Sequence, residues 1–182
     1  MAEHAATSPA RVWSMRAIYL GIALGILLLE LLPLQTQPRN FAGPDMILLL
    51  TFTFALRRPE YVPPAVVGLA LLLADLLLQR PPGLMAGLAV VATQMLRNRS
   101  EGLRTLPFSV EWLTAALAIA AVMLGYRVVL ALFVIPQAPM LLVLTQLLST
   151  ALAYPLMVLG CVALFGIRRV APGEVDTLGH RI

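Results

Sequence analysis

Lysine is absent from this chain of 182 residues, cysteine occurs once and histidine twice. Each shortage excludes something. Cys161 stands alone in an apolar run, so no internal disulfide can form, and no Cys/His cluster suggests a metal. His4 and His180 lie in the tails, which leaves no histidine to activate a serine or cysteine inside the apolar runs. Charge is scarce too: 12% of residues are charged, against about 25% in a soluble domain. There is too little polar surface to cover a core of this composition, 60% hydrophobic with mean hydropathy +0.89. A soluble domain, a disordered chain and a nucleic-acid binder are excluded together. No phosphate-binding glycine loop and no dinucleotide fingerprint occurs. The expectation is a non-enzymatic membrane protein without catalytic residues, metal or cofactor. All 13 basic residues are arginine, which reads as compositional bias.

What is present is a series of apolar runs. An uninterrupted run of about 18 residues can cross a bilayer. The sequence predicts an all-α integral membrane protein, a bundle of six transmembrane helices. The predicted spans are 17–34, 44–56, 62–79, 84–96, 110–134 and 140–167, with tails 1–16 and 168–182. The first follows Arg11 and Arg16, as a signal peptide would, but its apolar core is long and no A-x-A site follows. It is expected to be retained. The second, beginning at Pro44, covers only about 20 Å, so it must be tilted little or be screened by protein. Arg80-Pro81-Pro82-Gly83 should join spans 3 and 4 in an antiparallel hairpin. Pro155 should kink the last span.

Arginine placement gives the orientation. Alternating spans put Arg11, Arg16, Arg57, Arg58, Arg97, Arg99, Arg104, Arg168, Arg169 and Arg181 on one side. Only Arg39 and Arg80 lie on the other. Both termini are therefore expected in the cytoplasm. Asn98-Arg99-Ser100, a glycosylation acceptor by pattern, falls on the cytoplasmic side and carries no meaning there. The run Arg97 to Arg104 is expected to set topology rather than to dock a filament or anionic lipid.

Charges within spans are costly unless paired or wet. Glu30, Asp75 and Arg127 each fall about 7 Å outward of the midplane at 1.5 Å per residue, and Asp45 opens span 2 from the same side. Two readings stand: an outer-leaflet polar cluster in which Arg127 neutralises Asp75, Glu30 or both, and separate snorkelling to the interface. Pro64, Gly68, Asp75 and Gln79 share a stripe of span 3, and Ala116, Ala120 and Arg127 share one of span 5. Gly21-x-x-x-Gly25 and Gly83-x-x-x-Gly87 are small-residue pairs expected to pack inside the bundle.

One stretch has a pattern of its own. Gly43-Pro44-Asp45 opens a short span and Arg57-Arg58-Pro59 closes it; Gly68 precedes Asp75 by seven residues; Pro82-Gly83 and Gly87 follow. From about Phe41 to Leu96 this order and spacing resembles the bacterial rod shape-determining protein MreD family. Asp45, Arg58, Pro59, Gly68, Asp75, Gly83 and Gly87 are the matching positions; Glu30 and Arg127 are not part of that pattern. The resemblance implies a six-helix fold similar to the substrate-binding subunits of vitamin transporters. It implies a scaffold of the cell-elongation machinery in the inner membrane, supporting peptidoglycan synthesis and cell shape. The implied partner is MreC, a single-span protein with a periplasmic domain, with RodA, its transpeptidase and MreB in the wider complex. Gly83 and Gly87 are the expected packing positions for a partner helix. The rival expectation is a transporter's small-molecule binding subunit using an outer cavity around Glu30, Asp75 and Arg127.

Overall fold

The computed structural model describes residues 9–32, 41–103 and 105–167. His4, His180, Arg39, Arg104 and the tail 168–182 lie outside the described residues. Those described form six α-helices: α1 (Pro9–Leu31), α2 (Met46–Arg57), α3 (Pro64–Leu77), α4 (Leu84–Leu103), α5 (Phe108–Leu132) and α6 (Met140–Phe165). A 3-10 turn, Pro59–Tyr61, links α2 to α3. Three of the helices, α1, α5 and α6, are long and apolar enough to cross a membrane. α2 and α3 are apolar but shorter. The exposed surface of the long helices is leucine-rich; Leu148, Leu152, Leu156 and Leu159 of α6 are all more than half exposed. A soluble monomer does not leave such a surface to water. The described residues form helices and no strand, and the long apolar helices mark a membrane protein.

The helices alternate in direction. The starts of α2, α4 and α6 and the ends of α1, α3 and α5 gather at one end of the bundle. α2 stands at the centre, in contact with α1, α4, α5 and α6. Every residue from Ile47 to Arg57 is buried. Its sequence, MILLLTFTFALR, offers no polar face, and a helix apolar all round belongs inside. Its 12 residues rise about 18 Å, against a hydrocarbon thickness of about 30 Å. Burial resolves the mismatch, because a helix wrapped in protein need not match lipid. The hydroxyls of Thr51 and Thr53 donate back to the carbonyls of Ile47 (2.7 Å) and Leu49 (2.8 Å), and Thr51 meets the Tyr19 hydroxyl at 2.8 Å. The central helix thus carries polar atoms at no desolvation cost.

Several boundaries differ from the sequence reading. α1 begins at Pro9, so Arg11 and Arg16 are helical. α2 begins at Met46, with Asp45 as its N-cap and Pro44 outside. α3 ends at Leu77, and Gln79, expected on its stripe, sits beyond it at φ 54°. The buried face of α3 is Val67, Ala70, Leu71, Ala74 and Asp75, with Pro64 exposed. α4 continues through Arg97 and Arg99 to Leu103, so the arginine-rich loop is mostly a helical extension. Its residues are polar but helix-compatible, and only the apolar run stops at Leu96. α6 continues through Pro155 and ends at Gly166, φ 63°, where Ile167 N–H closes on the Cys161 carbonyl at 3.3 Å.

The glycine pairs behave differently from expectation. α1 buries the stripe Tyr19, Ala23 and Leu27. Gly21 and Gly25 are on its exposed side, where an added Cβ would meet nothing within 4 Å. They do not pack inside the bundle. Gly83 precedes α4 at φ +83° and so serves the turn rather than a helical stripe; Gly87 is exposed with open space beyond it. Gly68 does face a neighbour: its Cβ would lie 3.6 Å from Val90 of α4.

Candidate functional site

The two ends of the bundle carry nearly all of its polar chemistry. At the first, Asp45 caps α2 by accepting from Leu48 N–H at 2.9 Å. The segment leading into it is pinned to α6. Asp45 N–H donates to Thr150 Oγ1 (3.0 Å), Ala42 N–H to Thr145 Oγ1 (3.2 Å), and Ser149 Oγ to the Ala42 carbonyl (3.1 Å). The Arg80 guanidinium lies 4.0 Å from the second Asp45 oxygen.

Asp75 is fully buried and acts across the hairpin. Its Oδ2 accepts from Gly83 N–H at 3.0 Å and Ala86 N–H at 3.2 Å. These amides belong to the start of α4, whose first turn has no internal acceptors. A carboxylate there satisfies two orphan donors and meets the positive end of the helix dipole. Asp75 therefore caps α4 from α3. Its Oδ1 is buried without a hydrogen-bond partner.

Arg127 is placed by none of these acids. Its Nη1 donates to the Ala138 carbonyl at 2.9 Å, holding the α5–α6 connection. Neutralisation of Asp75 or Glu30 by Arg127, one of the two expected readings, is thus not the arrangement found among the described residues, where Arg80 stands beside Asp45. The reason is azimuthal: equal depth on two helices does not put two side chains on facing sides. Of the four residues in the expected cluster, Asp45 and Arg127 line one cavity of about 170 Å³ with Arg80, Tyr126, Gln137 and Gln146. Glu30 and Asp45 line an adjoining open recess, again with Arg80 and Gln146. Asp75 lines neither.

The opposite end holds what the sequence reading missed. Arg57, counted there among the loop arginines, is buried. Its Nε donates to Glu111 Oε1 at 2.9 Å and its Nη2 to Oε2 at 3.3 Å. The Tyr154 hydroxyl donates to the same Glu111 Oε1 at 2.9 Å, and its ring stacks on Phe108 at 6.3 Å. Glu111 is 2% exposed. This network ties α2, α5 and α6 together through a bidentate pair. Nearby, Arg16 donates to the Glu60 carbonyl at 3.1 Å, fixing α1 to the 3-10 turn, and Arg58 lies 3.5 Å from the Glu60 carboxylate. Burial, then the Arg16 charge, hold the Arg97 guanidinium below its ordinary range, with Glu60 opposing. Cys161 is buried and removed from thiol chemistry.

The geometry offers two devices. One is a set of helix caps and ion pairs that fixes the bundle. The other is a small cavity with two guanidinium groups. No family model matches the chain, and no curated protein or solved structure matches it.

Proposed function

We propose that the chain is a six-span scaffold of the bacterial cell-elongation machinery, similar to MreD, that docks the single span of MreC in the inner membrane. Both termini lie in the cytoplasm in this reading, on the arginine-rich side. One observation carries it: the residues of the MreD-like pattern, Gly87 apart, are engaged in building the bundle or its turns. Asp45 caps α2, Asp75 caps α4, Gly83 makes the turn between α3 and α4, and Gly68 faces Val90 where those two helices pack. Arg58 and Pro59 form the turn after α2. A pattern whose members fix shape fits a scaffold better than a site of reaction.

α2 is enclosed, so it leaves no thin groove for a partner to cover. The docking face is better sought on α4. There Gly87, Val91 and Met95 recur at four-residue spacing, and Val91 and Met95 are more than half exposed. A glycine on an apolar stripe lets a partner helix come close. Leucine at Gly87 adds no internal clash, because a Cβ there meets nothing within 4 Å. Gly87→Leu should therefore leave the melting temperature unchanged and lower recovery of MreC in copurification by about tenfold, the effect of losing about 1.4 kcal/mol of helix packing. Full recovery of MreC with Gly87→Leu would remove α4 from the interface.

A second reading, a small-molecule binding subunit of a transporter, is favoured by the cavity at the Asp45 end. Its 170 Å³ is below the span of about 300–1,000 Å³ that encloses a drug-sized ligand.

A further inference from the structure

The cavity at the Asp45 end has a lining that mixes polar and apolar side chains. Arg80, Arg127, Gln137 and Gln146 stand beside Met85, Met123, Leu130 and Val143. Its charged lining is two guanidinium groups and one carboxylate, Asp45, a net charge of +1 (2 − 1). Glu30 belongs to the adjoining recess. Each guanidinium carries several N–H donors. Arg127 commits Nη1 to the Ala138 carbonyl, and Arg80 meets Asp45 only at 4.0 Å. Donors remain on both arginines for a further acceptor.

A second feature adjoins it. An open apolar recess on the outside of α5, lined by Leu124, Val128, Ala131 and Ile135, shares Arg127 and Gln137 with the cavity. Leu124 and Val128 are exposed, one helical turn apart on a helix long enough to cross a membrane. Arg127 thus stands where a cavity holding two guanidinium groups meets an apolar, outward-facing groove. A ligand satisfying both is an anion attached to hydrocarbon. The volume suits a headgroup, and the guanidinium fork suits phosphate oxygens.

We propose that this cavity binds the phosphodiester headgroup of one anionic phospholipid, whose acyl chains lie in the groove along α5. A monoanionic phosphodiester balances the net +1 of the lining. The site is separate from the α4 face assigned to a partner helix, so loss of lipid binding and loss of MreC docking are distinguishable.

The test uses the full chain purified in detergent, with native mass spectrometry as the readout. Phosphatidylglycerol, phosphatidylcholine and inorganic phosphate are the probes. The expected result is one phosphatidylglycerol retained per chain and little phosphatidylcholine. Arg127→Gln and, independently, Arg80→Gln should each weaken retention about fivefold or more, the value of roughly one arginine against an anionic lipid. Arg127→Lys, which keeps the charge and loses the fork, should retain more lipid than Arg127→Gln and less than the parent chain, and Arg99→Gln on α4 should change nothing. Equal retention of phosphatidylcholine, or undiminished retention in folded Arg127→Gln and Arg80→Gln, overturns the proposal. Binding of inorganic phosphate that displaces the lipid at millimolar concentration would make the site one for free phosphate and overturn the lipid assignment.

Discussion

Glu111→Ala should cost the bundle about 3–5 kcal/mol, the largest effect expected of any single substitution outside the apolar core. The variant leaves Arg57 charged and buried, with the Tyr154 hydroxyl also deprived of its acceptor. At about 2–4 °C per kcal/mol for a chain of this size, the detergent-solubilised protein should melt roughly 6–20 °C lower. Size-exclusion after stepwise heating reads this directly. Arg57→Ala should also destabilise the bundle, by taking the bidentate cation from the buried Glu111 carboxylate. The double variant Arg57→Met with Glu111→Leu removes both charges and should regain most of the loss, because a buried pair is often no more stable than the apolar residues that replace it. If the double variant melts as low as either single one, the charges themselves are needed, and a role beyond holding α2, α5 and α6 together must be sought. Tyr154→Phe removes one hydrogen bond to a charged group and should cost about 1.5–3 kcal/mol.

The second large effect concerns Asp75. Asp75→Ala strands the amides of Gly83 and Ala86 at the start of α4, at about 1–3 kcal/mol for each buried donor left unpaired. Asp75→Asn keeps an acceptor oxygen for the two amides and loses the charge facing the helix dipole, about 0.3–1 kcal/mol, while its NH2 takes the buried place where Oδ1 has no partner. Asparagine should therefore lower the melting temperature, and recovery of the proposed partner MreC, less than alanine does. This pair separates a cap from a reacting group. A carboxylate that moved protons or bound a cation would fail as asparagine although the protein remained folded.

Much of the fold is legible in the sequence. The six apolar runs fall on the six helices, and the Pro-Pro-Gly breaker falls between α3 and α4. The enclosure of α2 is written in its lack of any polar face and in its shortness. Boundaries at polar ends are less legible: α4 runs on through arginine, asparagine and serine because these residues tolerate a helix once packing has begun one. The sites are the least legible. Depth along a helix can be counted from residue number, and this places Glu30, Asp45, Asp75 and Arg127 near one end. Azimuth cannot be counted so simply. Arg127 turns to a backbone carbonyl and Asp75 to backbone amides, partners that no pattern of charged residues reveals. The Arg57–Glu111 pair joins residues 54 apart, and counting Arg57 as a loop charge hides it. One signal was available: Glu111 is the only acid in α5 and lies 16 residues (127 − 111), more than four turns, from that helix's own Arg127, so a buried acid there demands a cation from another helix.

In the proposed arrangement all six helices, the short α2 and α3 included, cross the membrane with the Arg57–Glu111 end in the cytoplasm. Single cysteines in a Cys161→Ala background test it, with a membrane-impermeant maleimide applied to intact spheroplasts. Pro82→Cys and Ala138→Cys should be labelled from outside, whereas Gly102→Cys and Thr105→Cys should be labelled only after permeabilisation. Labelling of position 82 and position 102 from the same face would contradict it.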